Sequence, residues 1–308
     1  MKCTVLLPVY NAGRPLAAAV ESILGQDEPD FEFLIIDDCS NDDSASVIRK
    51  YAAKDSRIRP LFHPRNAGLA ATLNEGLAAA QSDLVARIDQ DDEALPNRLS
   101  TQIRFLRTRP EVVVAGSFVY HMGRTAAHDR LVRLPEEPEE IAAALPKANC
   151  LYHPSVMLRR QPVLALGGYR PEFKNSEDYD LWLRVARVHH LANIPVPLLR
   201  YRFSAGGMTL GKKWQQAHYT QMAVASYFHP EWSQDQVREE ASRALDQMGK
   251  EIFLEQVAKG TIQELTRLGL YGDAMQVLWL FSRQLEGRRG FGLMRDFGFG
   301  LLSTSFHR

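Results

Sequence analysis

Along residues 1–110 the apolar positions alternate between short unbroken runs and a three-to-four-residue spacing. Residues 3–9 form one such run and predict a buried strand, followed by a turn at Asn11-Ala12-Gly13. Pro15 then suits a first helical position, where its missing N–H costs nothing, and Leu16, Val20, Ile23 and Leu24 follow with helical spacing. The cycle repeats. Strands are predicted over 31–36, 58–62 and 84–88. Helices are predicted around Val47, Ile48 and Tyr51 (capped by Asp42 or Asp43), over 69–80, and around Leu99, Ile103 and Leu106.

Strand alternating with helix implies an α/β fold with a mainly parallel sheet and helices on both faces. Ligands of such sheets bind at the carboxyl ends of the strands. The polar clusters fall at those ends: Tyr10-Asn11, Asp37-Asp38, Asn66 and the run from Asp89 to Asp92.

The middle of the chain mixes predicted strands (112–120, 191–201) with helices (138–145, 178–189), and residues from 211 onward read as mostly helical. There, 234–268 is one charged amphipathic stretch, and Ala274, Val277, Leu278, Phe281 and Leu285 form an apolar stripe. The nearest thing to a linker is Ser204-Ala205-Gly206-Gly207. The expected organisation is one domain over 1–210, with halves 1–110 and 111–210, and a helical extension over 211–308.

Composition narrows the class. Lys plus Arg and Asp plus Glu are 37 each in 308 residues, so the net charge is zero and a nucleic-acid-coating protein is not expected. Three cysteines without a CxxC pair exclude a disulfide framework and a cysteine zinc site, and fit a reducing cytoplasm. The N-terminus lacks a cleavable signal pattern. No stretch reaches the roughly 18 apolar residues of a membrane span, so membrane contact is expected to be peripheral.

The candidate chemistry is carboxylate-rich. Asp89-Gln90-Asp91-Asp92 brings three acids to one strand end, where a hard divalent cation or hydrogen bonds must offset their repulsion. Asp92 and Glu93 also suit the start of the helix expected at Pro96. Asp37-Asp38 is either an acceptor for a base N–H or an ordinary Asp turn. Asn66-Ala67-Gly68 either opens a helix toward a phosphate or simply caps it. Asp178, in Glu177-Asp178-Tyr179-Asp180, is a candidate general base or a first-turn acid. His153 either lines an acceptor site or is a hydrogen-bonded structural histidine.

Taken in order, several motifs carry a resemblance. The first three are Leu7-Pro8-Val9-Tyr10-Asn11, Ile35-Ile36-Asp37-Asp38-Cys39-Ser40-Asn41-Asp42 and Asn66-Ala67-Gly68-Leu69. Ala86-Arg87-Ile88-Asp89-Gln90-Asp91-Asp92 follows, with Pro96, Arg98-Leu99 and Gln102. His153-Pro154-Ser155, Gly168-Tyr169 and the run from Glu177 to Arg184 complete the set. The chain resembles inverting family 2 glycosyltransferases of the GT-A nucleotide-diphospho-sugar transferase fold, over about residues 3–203. The resemblance implies transfer of a sugar from a nucleotide donor, most often a UDP-sugar, to a hydroxyl acceptor on a glycan or lipid carrier. It implies that Pro8, Val9 and Tyr10 flank the nucleoside, that Asp38 contacts the base, and that Asn66 and Gly68 lie near the nucleoside. It places Asp89 by the ribose and metal, Asp91 on Mn²⁺ or Mg²⁺, and Asp178 as the base of a single displacement. Two positions depart from the pattern: Leu73 stands where many relatives have Arg, and Ser204 where a His is frequent. A nucleotidyltransferase and a non-catalytic nucleotide-sugar binder are the other readings. Residues 211–308 lie beyond the resemblance. Arg288-Arg289 and the phenylalanines from Phe291 to Phe306 suggest packing, a homodimer contact or a membrane surface.

Overall fold

The computed structural model describes residues 1–203 and 210–284. Ser204, Leu285 and the Phe-rich end therefore lie outside the described residues. The chain forms two units: residues 1–120 with 131–201, and residues 121–130 with 202–308.

The first unit begins with β1 (Cys3–Val9), α1 (Pro15–Leu24), β2 (Phe31–Asp37), α2 (Ser44–Ala52), β3 (Ile58–Phe62), α3 (Leu69–Ala79) and β4 (Leu84–Arg87). Every residue of β1 and β2 is buried, as expected of strands covered on both faces. Leu16, Val20 and Ile23 of α1 share one buried core with Val5, Leu7 and Val9 of β1. These four strands are parallel, in the order β3-β2-β1-β4. The chain steps one way from β1 to β3 and returns to the other side of β1 with β4. The crevice between the ends of β1 and β4 is thus a switch point, the usual ligand position in open α/β sheets.

Beyond β4 the sheet changes character. The chain continues through β5 (Glu93–Ala94), α4 (Arg98–Thr108), β6 (Val112–His121), β7 (Arg130–Val132), α5 (Pro138–Ala144), β8 (Met157–Arg159), α6 (Arg160–Ala165), α7 (Glu177–Ala186) and β9 (His190–Tyr201). The sheet order continues β4-β8-β6-β9-β5, and the β4–β8, β6–β8 and β5–β9 pairs are antiparallel. The parallel arrangement expected from the sequence therefore holds in the half that carries β1 to β4.

In the second unit α8 (Leu210–Phe228), α9 (Gln234–Met248), α10 (Lys250–Arg267) and α11 (Tyr271–Gln284) follow one another. The stretch read as one amphipathic segment is two helices, interrupted at Gly249, whose φ of 75° suits a residue without Cβ. Ala274, Val277, Leu278 and Phe281 of the expected stripe pack on Leu254, Ala258, Ile262 and Leu265 of α10. His121 Nδ1 lies 2.7 Å from Glu264 Oε1, and Arg130 Nε donates to the same oxygen at 2.8 Å. Among the described residues no helix is long and apolar enough to cross a membrane.

Candidate active site

The loop after β1 is stitched to the loop after β2. The N–H groups of Asn11, Ala12 and Gly13 donate to Ser40 Oγ, Ser44 Oγ and Asp42 Oδ2, and Asn41 N–H returns a bond to Asn11 Oδ1. On the other side, Gln90 of the loop after β4 binds the Tyr10 backbone twice: its Oε1 accepts the N–H at 2.8 Å and its Nε2 donates to the carbonyl at 3.2 Å. The Tyr10 side chain is left exposed at the mouth of the switch point.

Asp38 is buried and organises the next loop. Its Oδ1 accepts the Ala67 N–H at 2.7 Å and lies 2.7 Å from His63 Nδ1, while its Oδ2 accepts the Gly68 N–H at 2.9 Å. Its carbonyl accepts Asn66 Nδ2 at 3.1 Å. Gly68 has φ 87°, which only glycine adopts freely, and stands as the residue before α3. Burial alone would lower the pKa of His63, but hydrogen bonds to Asp38 and Glu75 outweigh it and hold the ring above its ordinary value.

Arg87, the last residue of β4, is the buried cation of the site. Its Nη1 donates to Asp89 Oδ2 at 2.6 Å and its Nη2 to Asp89 Oδ1. Burial disfavours this charge; the Asp89 carboxylate overcomes the penalty and keeps the pKa above the usual value. The same guanidinium acts electrostatically on Glu177, Asp178, His153 and Tyr169.

Asp178 sits in the first turn of α7 and accepts a 3.0 Å bond from Asn149 Nδ2. Desolvation is the largest influence on it and pushes its pKa up, against the Tyr179 N–H, Arg87 and Asn149. Glu177 is pushed up by burial as well. Burial also drives the Tyr201 phenol far up, and Asp92, Asp89 and Asp91 add to it, so all three acids act on one hydroxyl. A cleft of about 410 Å³ runs alongside, lined by Asn66, Gly68 and Leu69 on one wall and Lys174, Asn175 and Glu177 on the other.

The residue pattern that defines "Glycosyl transferase family 2" matches residues 4–167, more than half of the chain. The chain belongs to glycosyltransferase family 2. It is 30% identical over 217 residues to the amylovoran biosynthesis glycosyltransferase AmsE of Erwinia amylovora, covering 68% of this chain and 80% of AmsE. In fold it is similar to S. aureus TarS 1–349, with TM-score 0.60 at 18% identity over 91% of this chain and 83% of TarS 1–349. TarS has also been seen in complex with UDP and with UDP-GlcNAc. The mannosyltransferase PcManGT of Pyrobaculum calidifontis, in complex with GDP-Man and Mn²⁺, matches with TM-score 0.57 at 15% identity over 98% of this chain and 80% of PcManGT. The fold is GT-A, with a helical C-terminal part.

In this glycosyltransferase the expected site residues take different places. Asp89 pairs with Arg87, which also acts on Asp178, while Asp89 and Asp91 act on the half-buried Tyr201. Asn66 and Gly68 line the cleft. Asp38 lies beneath it, its carboxylate already holding two N–H groups and His63. Pro8 and Val9 are buried strand residues; of the three expected to flank the nucleoside, Tyr10 is the exposed one. Leu73 is a core residue. His153 is buried, with Nε2 2.9 Å from the Tyr169 hydroxyl and its ring edge-on to Trp182, and burial holds it neutral, well below its ordinary pKa.

The donor set also answers the question of a metal. Asp89, Asp91 and Asp92 offer only carboxylate oxygens, which suits Mg²⁺ or Mn²⁺. Asp89 is engaged by Arg87. Among the described residues no three His, Cys, Asp or Glu side chains assemble into a metal cage. A cation here would take one or two protein oxygens and complete its shell with water and donor phosphates, and the residues fit that arrangement.

Sequence reasoning missed Arg87, Gln90 and Asn149 as working parts. A signal existed for Arg87: a cation inside a predicted buried strand, two residues before an acid, needs a partner. Gln90 and Asn149 carried none.

Proposed function

We propose that the protein transfers a sugar from a nucleoside diphosphate donor, a UDP-sugar first among the candidates, to a hydroxyl of a glycan or lipid-linked acceptor in cell-surface polysaccharide assembly. The observation that carries this reading is Asp178, a carboxylate raised by burial, beside a cleft whose opposite wall is the start of α3. AmsE, named for amylovoran biosynthesis, supports the polysaccharide setting; the TarS complexes support the UDP donor.

In this reading the acceptor hydroxyl is held at Asp178, which takes its proton as the oxygen forms a bond to the anomeric carbon. The bond from that carbon to the diphosphate oxygen breaks in the same displacement, so the configuration inverts and the nucleoside diphosphate leaves. A divalent cation held by Asp91, with Asp89 beside it, would supply neutralisation of the charge that grows on the leaving diphosphate. Arg87 keeps Asp89 oriented and favours the ionised form of Asp178. The three free cysteines agree with a reducing cytoplasmic setting.

The test is nucleoside diphosphate release from UDP-, GDP- and dTDP-sugars, with Mn²⁺ and with chelator. Asp178→Asn is expected to lose about a hundredfold or more in turnover, the contribution a positioned general base usually makes. It should keep the nucleotide-induced rise in melting temperature. Turnover retained in Asp178→Asn would remove the base from Asp178; full turnover in chelator with Asp91→Ala would remove the metal from Asp91.

A further inference from the structure

The two walls of the cleft are separate in sequence and joined by one short turn. α6 ends at Ala165, and Gly167 and Gly168, with φ 85° and 63°, turn the chain toward Tyr169. From α3, Asn74 grips this turn at two points: its Oδ1 accepts the Tyr169 N–H at 2.8 Å and its Nδ2 donates to the Tyr169 carbonyl at 2.7 Å. From α7, Arg184 grips the same turn, donating to the carbonyls of Leu166 at 2.7 Å and Gly168 at 2.6 Å. Asp180 fixes Arg184 through a 3.0 Å bond and also pairs with Arg170, just past the turn. The fit is tight, since a Cβ on Gly168 would overlap Asn74 Oδ1. An amide is well suited here, because it offers one acceptor and one donor to a single peptide unit.

We propose that Asn74 is a positioning residue for the transfer: through the 166–170 turn and Arg184 it fixes α7, and with it Asp178, at a set distance from the start of α3. Asn74 lines neither the donor loop nor the acid cluster, so its effect on the reaction passes through Tyr169. The inference rests on Asp178 as the base. Small displacements of a reacting group are costly, because a near-attack arrangement is lost within about an ångström.

Two readouts test it. Spin labels placed at the exposed positions of Ala78→Cys on α3 and Arg187→Cys after α7, in a Cys39→Ser background, report the distance between the two helices without any donor. The distance distribution is expected to be narrow with Asn74 and broad in Asn74→Ala. In nucleoside diphosphate release from UDP-GlcNAc, UDP-glucose and GDP-mannose, Asn74→Ala should lose about tenfold or more in kcat. Its nucleotide Kd should stay within about twofold, because donor contacts persist. Gly168→Ala should lose turnover both by overlapping Asn74 and by straining the backbone at its φ of 63°, and the combined variant should lose less than the product of the single losses, since the overlap part is gone. An unchanged distance distribution, or a loss carried wholly by nucleotide Kd, would overturn the proposal. Asp178→Asn run alongside separates the two ideas. If it keeps turnover, the base assignment fails; if it is inactive while Asn74→Ala keeps kcat, the positioning role fails.

Discussion

At the scale of single residues, the site depends on the buried Arg87 guanidinium and on the protonation of Asp178 near it. Desolvation raises Asp178 above the ordinary 3.8 of a free carboxyl, and the Asn149 amide pulls it back. A base must be ionised to accept a proton, so turnover is expected to fall as pH drops through a value above that of an exposed aspartate. Asn149→Ala removes a bond that favours the ionised form, so its acid limb should lie at higher pH than in the parent. A pH profile of kcat/KM checks both, and an Asn149→Ala limb at equal or lower pH would contradict the assignment. Asp178 and Asp91 stand out in the sequence because acids cluster at strand and helix ends, and the roles proposed for them come from the family resemblance. Arg87 does not, because hydrophobic patterning counts a buried strand position without asking about its charge. The Asn74–Tyr169 contact spans 95 residues, and no local pattern encodes it.

At the scale of elements, the parallel strands were legible because each is a short, mostly apolar run bounded by polar turns, and β1 and β2 are buried along their whole length, the signature of strands covered on both faces. The antiparallel half was harder. β8 is three residues long and β5 only two, one of them Glu93, held by a pair with Arg200. Such strands exist through their partners and not through their own propensity. The break between α9 and α10 was hidden for a related reason: one glycine inside an amphipathic pattern is tolerated until the backbone turns at it. The start of α9 is a local design. Ser233 Oγ accepts the Gln236 N–H, and Gln236 Oε1 accepts the Ser233 N–H. Ser233→Ala should destabilise this helical unit by about 1 kcal/mol, read as a fall of a few degrees in its melting transition.

At the scale of the whole molecule, acid should loosen the second unit. Burial lowers His121 below 6.5, so in that range the unfolded chain binds the proton better and stability declines as pH falls below about 6.5. Burial would raise Glu264, but hydrogen bonds from Arg130 and His121 outweigh it and hold the pKa below 4.5. Its contribution is complete above 4.5 and is lost as pH falls through the lowered value. Both groups act in the same direction. Melting temperature is expected to decline continuously from pH 7 toward pH 4. Glu264→Gln should start lower at pH 7 and lack the steepest part of that decline; a flat profile in the parent protein would contradict the account.

The membership of residues 121–130 in the second unit has a consequence for how the chain is made. Glu264 follows His121 by 143 residues. During synthesis the first piece of the helical unit leaves the ribosome long before the helix that receives it. Every strand of the sheet is therefore translated before that segment's own partner. A chain stopped before α10 would leave His121 and Arg130 without the Glu264 carboxylate they share, so the helical unit is not an appendage that can be cut away cleanly.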